Sequence, residues 1–467
     1  MKKKYVRWTL WTIASPFILF IILCILIYLP PIQNFLVDKA AVYASEATGM
    51  NISVGRISLS FPLNLVVTDV DAASPHNDTL LSVRRLQVNV QLLPLLKKQV
   101  EVDGISLQGA TVNSNDLIHG MKLNGTLGEL FISSHGVALD PETAIVNKVL
   151  LKDTDLSLCL NDTAAADTAA SDTTYWKIIL QDIDLQNVSF ALDMPLDSLS
   201  LAASLDNAIL RDGLIDLHKS AYSLQTFRIE NGRVRYDNGK PLAADSLSSG
   251  LDPSHIALTD IGVKLDSLYY GGRNMKAIIS QFVLKERSGV EIVSATGRMV
   301  SNDKVLRVPS LKLETRDSYL ELNAAMDWNA LDFKDEGLVS ARLMADIGKP
   351  DVVRFMGSMD EKFIRQYPSE PLRIRTGIDG DLNKLKLTTL TAELPGALGL
   401  FARGELTHLT DSLLRGGDIT LEAETKDLKF VSTLAEGIEI PYGTRLEGKF
   451  TMAGTKMGTD LLLMQPE

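Results

Sequence analysis

ATGMNISVGRISLSFPLNLVVTDV, residues 47–70, decides the fold class. From Ile57 to Val67 every odd position is apolar: Ile57, Leu59, Phe61, Leu63, Leu65 and Val67. A period of two argues a β-strand with one apolar face. Pro62 in its middle removes a ladder donor and predicts an edge or bend position for this strand.

The alternation continues along the chain. Leu86, Val88, Val90 and Leu92 are apolar, while Arg85, Gln87, Asn89 and Gln91 between them are polar. The phase then slips by one at Gly55, Gly104, Gly109, Gly128 and Gly232. Glycine accepts positive φ at little cost, so an extra residue is expected to be absorbed there as a bulge or tight bend, keeping one face apolar. A loose repeat emerges in GISLQGATV, VLLKDTDLSL, DIDLQNVSF and FRIENGRVRY, each carrying Gly, Asn or Asp near the bend. Anchored on Leu107, Leu151, Leu185 and Ile229, its spacings are 44, 34 and 44, too uneven for a strict solenoid. The reading is mainly β, with short helices expected around residues 93–96, 351–366 and 431–436. One-sided alternation builds either an open trough or the core of a closed sandwich. The segment NDTAAADTAASDTT, residues 161–174, reads as a polar surface loop, and its Asp-Thr-Ala triplets resemble an O-glycosylation acceptor pattern.

Composition excludes several functions. The net charge is −11, and Lys2, Lys3, Lys4 and Arg7 supply +4 of it, leaving −11 − 4 = −15 for the rest, which disfavours nucleic-acid binding. Cys24 and Cys159 are the only cysteines, and the six histidines form no ligand-spaced pairs, so neither a disulfide framework nor a metal site is expected. No GxSxG, P-loop, HExxH or GxGxxG motif occurs, and no catalytic residue or cofactor is assigned.

No charge lies between Arg7 and Asp38, and Trp8 to Leu29 would make a helix of about 33 Å, enough to cross a bilayer core. The expected anchor includes Trp8, Trp11, Pro16, Phe17, Phe20, Leu23, Leu26, Tyr28 and Leu29, with Trp and Tyr suited to the interfaces and a bend at Pro16. The preceding basic residues place the N-terminus in the cytoplasm and the body outside. A cleaved secretory signal is the alternative, though no small-x-small site follows directly. Residues 31–49 read as an amphipathic helix whose apolar stripe docks on the body or lies in the bilayer surface.

This layout resembles the AsmA-like family, on its translocation and assembly module branch. The resemblance is carried by the anchor, by residues 47–70, by LLSVRRLQVNVQLLPLLKKQVEVDGISLQGATVN (80–113), and more diffusely by LRVPSLKLETRDSYLELNAAMDW (306–328). It implies an elongated, curled, repetitive β-sheet forming a groove with an apolar interior, bridging the inner and outer membranes of a Gram-negative cell. It further implies phospholipid transport, a TamA-like outer-membrane barrel as partner through a C-terminal region, and no catalytic residues. On this reading the chain divides into an anchor (1–30), an amphipathic helix (31–49), the start of the groove (50–160), a polar loop (161–174) and continuing groove repeats (175–467), and is an N-terminal portion. The candidate lining is Ile57, Leu59, Phe61, Leu63, Leu65, Val67, Leu86, Val88, Val90, Ile105 and Leu107. The rival reading is a scaffold for outer-membrane proteins that adds client strands to its sheet edge.

Overall fold

Seven strand segments in the computed structural model share one eight-residue pattern: apolar-x-apolar-x-(Asp, Gly or Asn), then one residue, x and an apolar residue. They are 65–72, 105–112, 149–156, 183–190, 208–215, 227–234 and 256–263. The fifth residue has positive φ in every case: Asp69, Gly109, Asp153, Asn187, Asp212, Asn231 and Asp260 lie between 50° and 62°. Only Gly and residues with a short polar side chain reach that left-handed region routinely, which explains the identity of the fifth position.

The structure describes residues 39, 41–42, 45–46, 48–60, 64–74, 78–91, 102–114, 120–138, 142–161, 175–239, 250–334, 337–356, 361–433 and 440–465. The expected anchor, the 93–96 helix, Phe61, Pro62 and Leu63 lie outside them, as does all but Asn161 of the polar segment. Among the described residues no helix is long and apolar enough to cross a membrane. Lys39, Ala41, Val42, Ser45, Glu46 and Thr48 are helical, within the expected amphipathic segment.

The protein is mainly β, and its strands divide into two units, Met1–Asp197 and Ser198–Glu467. In the first, β1 (Asn51–Ser60), β2 (Asn64–Ala73), β3 (Thr79–Val90), β4 (Val102–Asn113), β5 (Met121–Ala138) and β6 (Thr143–Leu160) pair in sequence as an antiparallel meander. β7 (Lys177–Met194) then joins β6 in parallel, at a constant offset that sets Leu151 against Leu185. The spacing of 34 between those two repeat anchors is therefore the register of neighbouring strands. The polar segment 161–174 belongs to the connection that a parallel pair requires.

Two expectations are corrected. Residues 57–67 are not one strand: Ile57 faces Val67 and Leu59 faces Leu65 across a hairpin whose connection contains Pro62. Nor are most of the phase slips bulges. The registers of β1 to β7 run unbroken past Gly55, Asp69, Arg84, Gly109, Gly128, Asp153 and Asn187, which occupy opposed positions on successive strands. Across these seven strands the slips fall on one line, a crease, instead of being an extra residue accommodated strand by strand. Contact across it is close: a Cβ on Gly55 would come within 2.9 Å of the Asp69 Cβ, and one on Gly128 within 2.8 Å of the Asp153 Cβ. Gly104 and Gly232 do sit at irregularities, with the register shifting between Asn89 and Val90 beside the first and on both sides of the second.

The second unit runs from β8 (Leu199–Asp216) through β9 (Ala221–Leu224), β10 (Thr226–Asp237), β11 (His255–Gly271), β12 (Asn274–Glu286), β13 (Glu291–Ser301), β14 (Val305–Thr315), β15 (Tyr319–Asp327), β16 (Leu338–Ile347), β17 (Leu372–Asp381), β18 (Lys384–Leu394), β19 (Leu398–Thr407), β20 (Gly416–Thr425) and β21 (Arg445–Ala453) to β22 (Lys456–Met464). From β10 onward each strand pairs with the next, while β10 also pairs with β8, and β9 bridges β8 and β11. Pro309 falls at a register shift in β14, where a missing donor costs nothing.

Short helices sit at the strand ends. The helix expected over 351–366 is two, α2 (Lys349–Phe355) and α3 (Glu361–Gln366), after α1 (Trp328–Leu331). Of the one expected at 431–436, residues 431–433 belong to a 3-10 turn, Lys429–Thr433, and 434–436 lie outside the described residues. Phe363, Tyr367, Leu394, Ala397, Leu428 and Phe430 form a buried cluster at one end of the strands. Ala330, Val339 and Leu382 form another at the opposite end.

Candidate functional site

Residues directly opposite one another in a ladder point to the same face. The pairings of the first unit therefore assemble rows across seven strands. One row is Ile57, Val67, Leu86, Leu107, Leu130, Leu151 and Leu185. The next is Leu59, Leu65, Val88, Ile105, Ile132, Val149 and Ile183. On the other side of the crease lie Val54, Val70, Val83, Ala110, Leu127, Thr154 and Val188, and beyond them Ile52, Ala72, Leu81, Val112, Gly125, Leu156 and Phe190.

The row between the two apolar rows, Ser58, Val66, Gln87, Ser106, Phe131, Leu150 and Asp184, is mixed, and two further intervening rows are polar. Ser53, Asp71, Ser82, Thr111, Thr126, Asp155 and Ser189 make one, and Arg56, Thr68, Arg85, Gln108, Glu129, Lys152 and Gln186 another. In β1 the half-buried residues are Ile52, Val54, Ile57 and Leu59, and all the others are exposed, so on this strand burial follows the apolar residues across the crease. Side chains on the polar rows tie to one another: Arg85 donates to Gln87 at 3.3 Å and Gln87 to Asn89 at 3.2 Å.

Eight of the eleven residues singled out from the sequence, Ile57, Leu59, Leu65, Val67, Leu86, Val88, Ile105 and Leu107, thus fall in two adjacent rows. Val90 lies on the same strand face as Leu86 and Val88, opposite Val102 beyond the bulge. Phe61 and Leu63 lie outside the described residues. The residues not singled out, Leu130, Ile132, Val149, Ile183 and the two rows beyond the crease, carried the same alternation in shifted phase.

The rows are not a packed core. Among the described residues of this unit the buried apolar side chains are Ala72, Leu80, Val83 and Ala110, while Leu81, Ile105 and Phe190 keep 36–38% of their surface exposed. The side chains of the Leu107 row are half-buried. Packed sandwich interiors bury such residues almost completely. With strands about 4.8 Å apart and about 3.4 Å per residue, this face measures about 29 Å across β1–β7 and about 25 Å along the strands.

The second unit carries comparable rows, but alternates large with small residues. Leu343, Thr376, Leu390, Ala402, Leu421 and Gly448 are successive neighbours, and beside them run Ala345, Ile374, Ala392, Leu400, Ala423 and Leu446. The buried clusters occupy the two margins of this face, since Leu372 and Leu398 pack on one and Ile378 and Leu385 on the other.

Titratable groups lie away from these rows. Asp351 at the start of α2 is 1% exposed and accepts hydrogen bonds from Thr315, from Ser318 at 2.6 Å and from Arg354 at 2.9 Å. Burial works to raise its pKa, but the hydrogen bonds of Ser318, Thr315 and Arg354, with the Arg354 charge, outweigh it and hold the carboxyl below its ordinary value. Buried His255 contacts Asp252 at 2.8 Å and Asp237 at 3.5 Å. Among the described residues no cluster of His, Cys, Asp or Glu is arranged to hold a metal ion.

The fold defines the class as a mainly β protein whose sheets present one apolar face. No protein-family model matches the chain, and no curated protein matches it.

Proposed function

We propose that the apolar face of the first unit is the entrance of a lipid-conducting groove, in an inner-membrane-anchored protein whose body lies in the periplasm and carries phospholipids between the two membranes. The observation that supports this reading is the pair of rows through Leu107 and Leu59, apolar on all seven strands yet with no fully buried member. A phospholipid with on the order of 30 acyl methylenes loses roughly 25 kcal/mol when its chains enter water, at about 0.8 kcal/mol per methylene. A face about 25–29 Å in each direction shelters such chains, which reach about half the 30 Å core of a bilayer. Rows of Leu, Ile and Val offer contact without a polar grip, so sliding is unimpeded.

The sequence resemblance to the AsmA-like family, most closely to TamB, adds the placement of the groove beside an anchor and a TamA-like outer-membrane partner. No residue is assigned to catalysis.

The test is photo-crosslinking in intact cells. A photoreactive residue at Leu59, Val88 or Leu107 is expected to capture phospholipid, and one at Ser58, Gln87 or Gln108 is not. Equal capture from both sets, or from neither, overturns the reading.

A further inference from the structure

We propose that β22 is a contact between two copies of this chain, which pair their β22 strands antiparallel about a two-fold axis at Leu462 and so continue one sheet into the other. All nine residues of β22 are exposed, which is true of no other described strand of the second unit. Among the described residues β22 pairs with β21 alone. Leu461, Leu462 and Leu463 keep 55–57% of their surface in solvent, and Met457 keeps 83%. An exposed apolar edge is a template for another strand.

The outward backbone groups can be placed. Ala453 and Lys456 face each other across the two-residue turn of Gly454 and Thr455, and such a turn closes on a hydrogen-bonded pair. Hydrogen-bonded and non-hydrogen-bonded pairs then alternate along the hairpin. The N–H and C=O groups of Met457, Thr459, Leu461 and Leu463 therefore point away from β21. Gly458, between two of them, turns its carbonyl inward, where the Thr451 hydroxyl donates to it at 3.4 Å.

Side chains decide the occupant. Leu461 and Leu463 lie opposite Gly448 and Leu446, on the apolar face. Leu462 and Met464 lie on the other face, opposite Glu447 and Arg445, with Glu422 and Glu424 one strand further. A strand that alternates polar with apolar residues would match one face and leave the other against polar groups. β22 is apolar on both. With the axis at Leu462, each Leu461 meets Leu463 of the second copy, Leu462 meets its own equivalent, and Asp460 meets Met464. An axis at Asp460 instead sets two carboxylates directly opposite, which is destabilising. A lipid surface has no amides to offer the outward groups. The contact uses the same patch on both copies, so it closes at two. The inference is independent of the lipid reading.

The test is sedimentation of the full chain over a wide concentration range, where a reversible dimer is expected. Leu461→Pro should weaken it about tenfold or more and leave the circular dichroism unchanged, because proline is tolerated where the N–H faces away from the sheet. In a chain carrying Cys24→Ser and Cys159→Ser, Leu462→Cys should cross-link two copies on oxidation with copper phenanthroline and oxygen, since residues of a non-hydrogen-bonded pair lie about 4.5 Å apart, within disulfide reach. Thr459→Cys, placed opposite Gln465 of the second copy, should not. Three results overturn the proposal: a chain that stays monomeric, a dimer indifferent to Leu461→Pro, or cross-linking of Thr459→Cys as fast as that of Leu462→Cys. Binding to phospholipid vesicles that Leu461→Pro removes, with no dimer in either chain, overturns it in favour of a lipid surface.

Discussion

Asn187 on β7 donates its side-chain amide to the Asp153 carboxylate on β6 at 2.9 Å, and both residues hold positive φ, 51° and 50°. The contact lies on the crease line, where the parallel pair meets side by side. Valine at either position has no comfortable left-handed conformation. Asn187→Val and Asp153→Val are each expected to destabilise the first unit by about 1–2 kcal/mol, whereas Asn187→Gly, which keeps the backbone free, should cost less. Urea denaturation of the full chain, followed by the fluorescence of Trp176 beside β7, measures the difference.

A carboxylate in the middle of the Leu59 row should interrupt lipid passage. Val88→Glu is expected to lower the phospholipid co-purifying with the chain at least severalfold. Gln87→Glu, one residue away on the opposite face, should leave it unchanged. Quantitative lipid extraction from matched preparations reads both.

Acid should loosen the attachment of α2 to the β14–β15 turn. The native Asp351 carboxyl titrates below its ordinary 3.8. Its stabilising contribution is therefore complete above about pH 4 and is lost as the pH falls through the lower native value. Asp351→Asn removes this acid dependence and leaves Arg354, which also pairs with Asp317 at 2.8 Å, with one carboxylate fewer. The cost at neutral pH is about 3 kcal/mol, since a buried ion pair loses one partner. Denaturant midpoints compared at neutral pH and at pH 3 separate the two statements.

The margin of the second unit should be its most sensitive packing site. Phe363 is 2% exposed and meets Tyr367 at 5.4 Å and Phe430 edge-on at 5.8 Å. Phe363→Ala is expected to cost about 3–5 kcal/mol. Leu413→Ser, at a side chain 82% exposed, should be close to neutral. Near-ultraviolet circular dichroism during thermal unfolding distinguishes them.

Much of this architecture is legible in the sequence, and the failures have physical causes. Alternation reports which face a residue takes, and so the apolar rows of β3 and β4 can be read directly. It cannot report a turn whose register pairs odd residues with odd ones, as Ile57 with Val67 and Leu59 with Leu65, so a hairpin presents the same pattern as one long strand. A phase slip in one strand looks like a bulge. Only the neighbouring strands reveal that Gly55, Asp69, Arg84 and Gly109 slip together. The parallel register of β6 and β7 leaves a constant spacing of 34, which without the pairing is one number among several. The half-exposure of the rows is a property of what does not cover them, and no residue pattern encodes it.

The pairing of each meander strand with its immediate neighbours has a last consequence. Among the described residues no strand pairing closes such a sheet upon itself, so closure does not fix its width. Each added hairpin extends it by about 9.6 Å at about 4.8 Å per strand, with the same local pattern and little change elsewhere. Width becomes a matter of counting, and duplication or loss of a hairpin changes it in fixed steps.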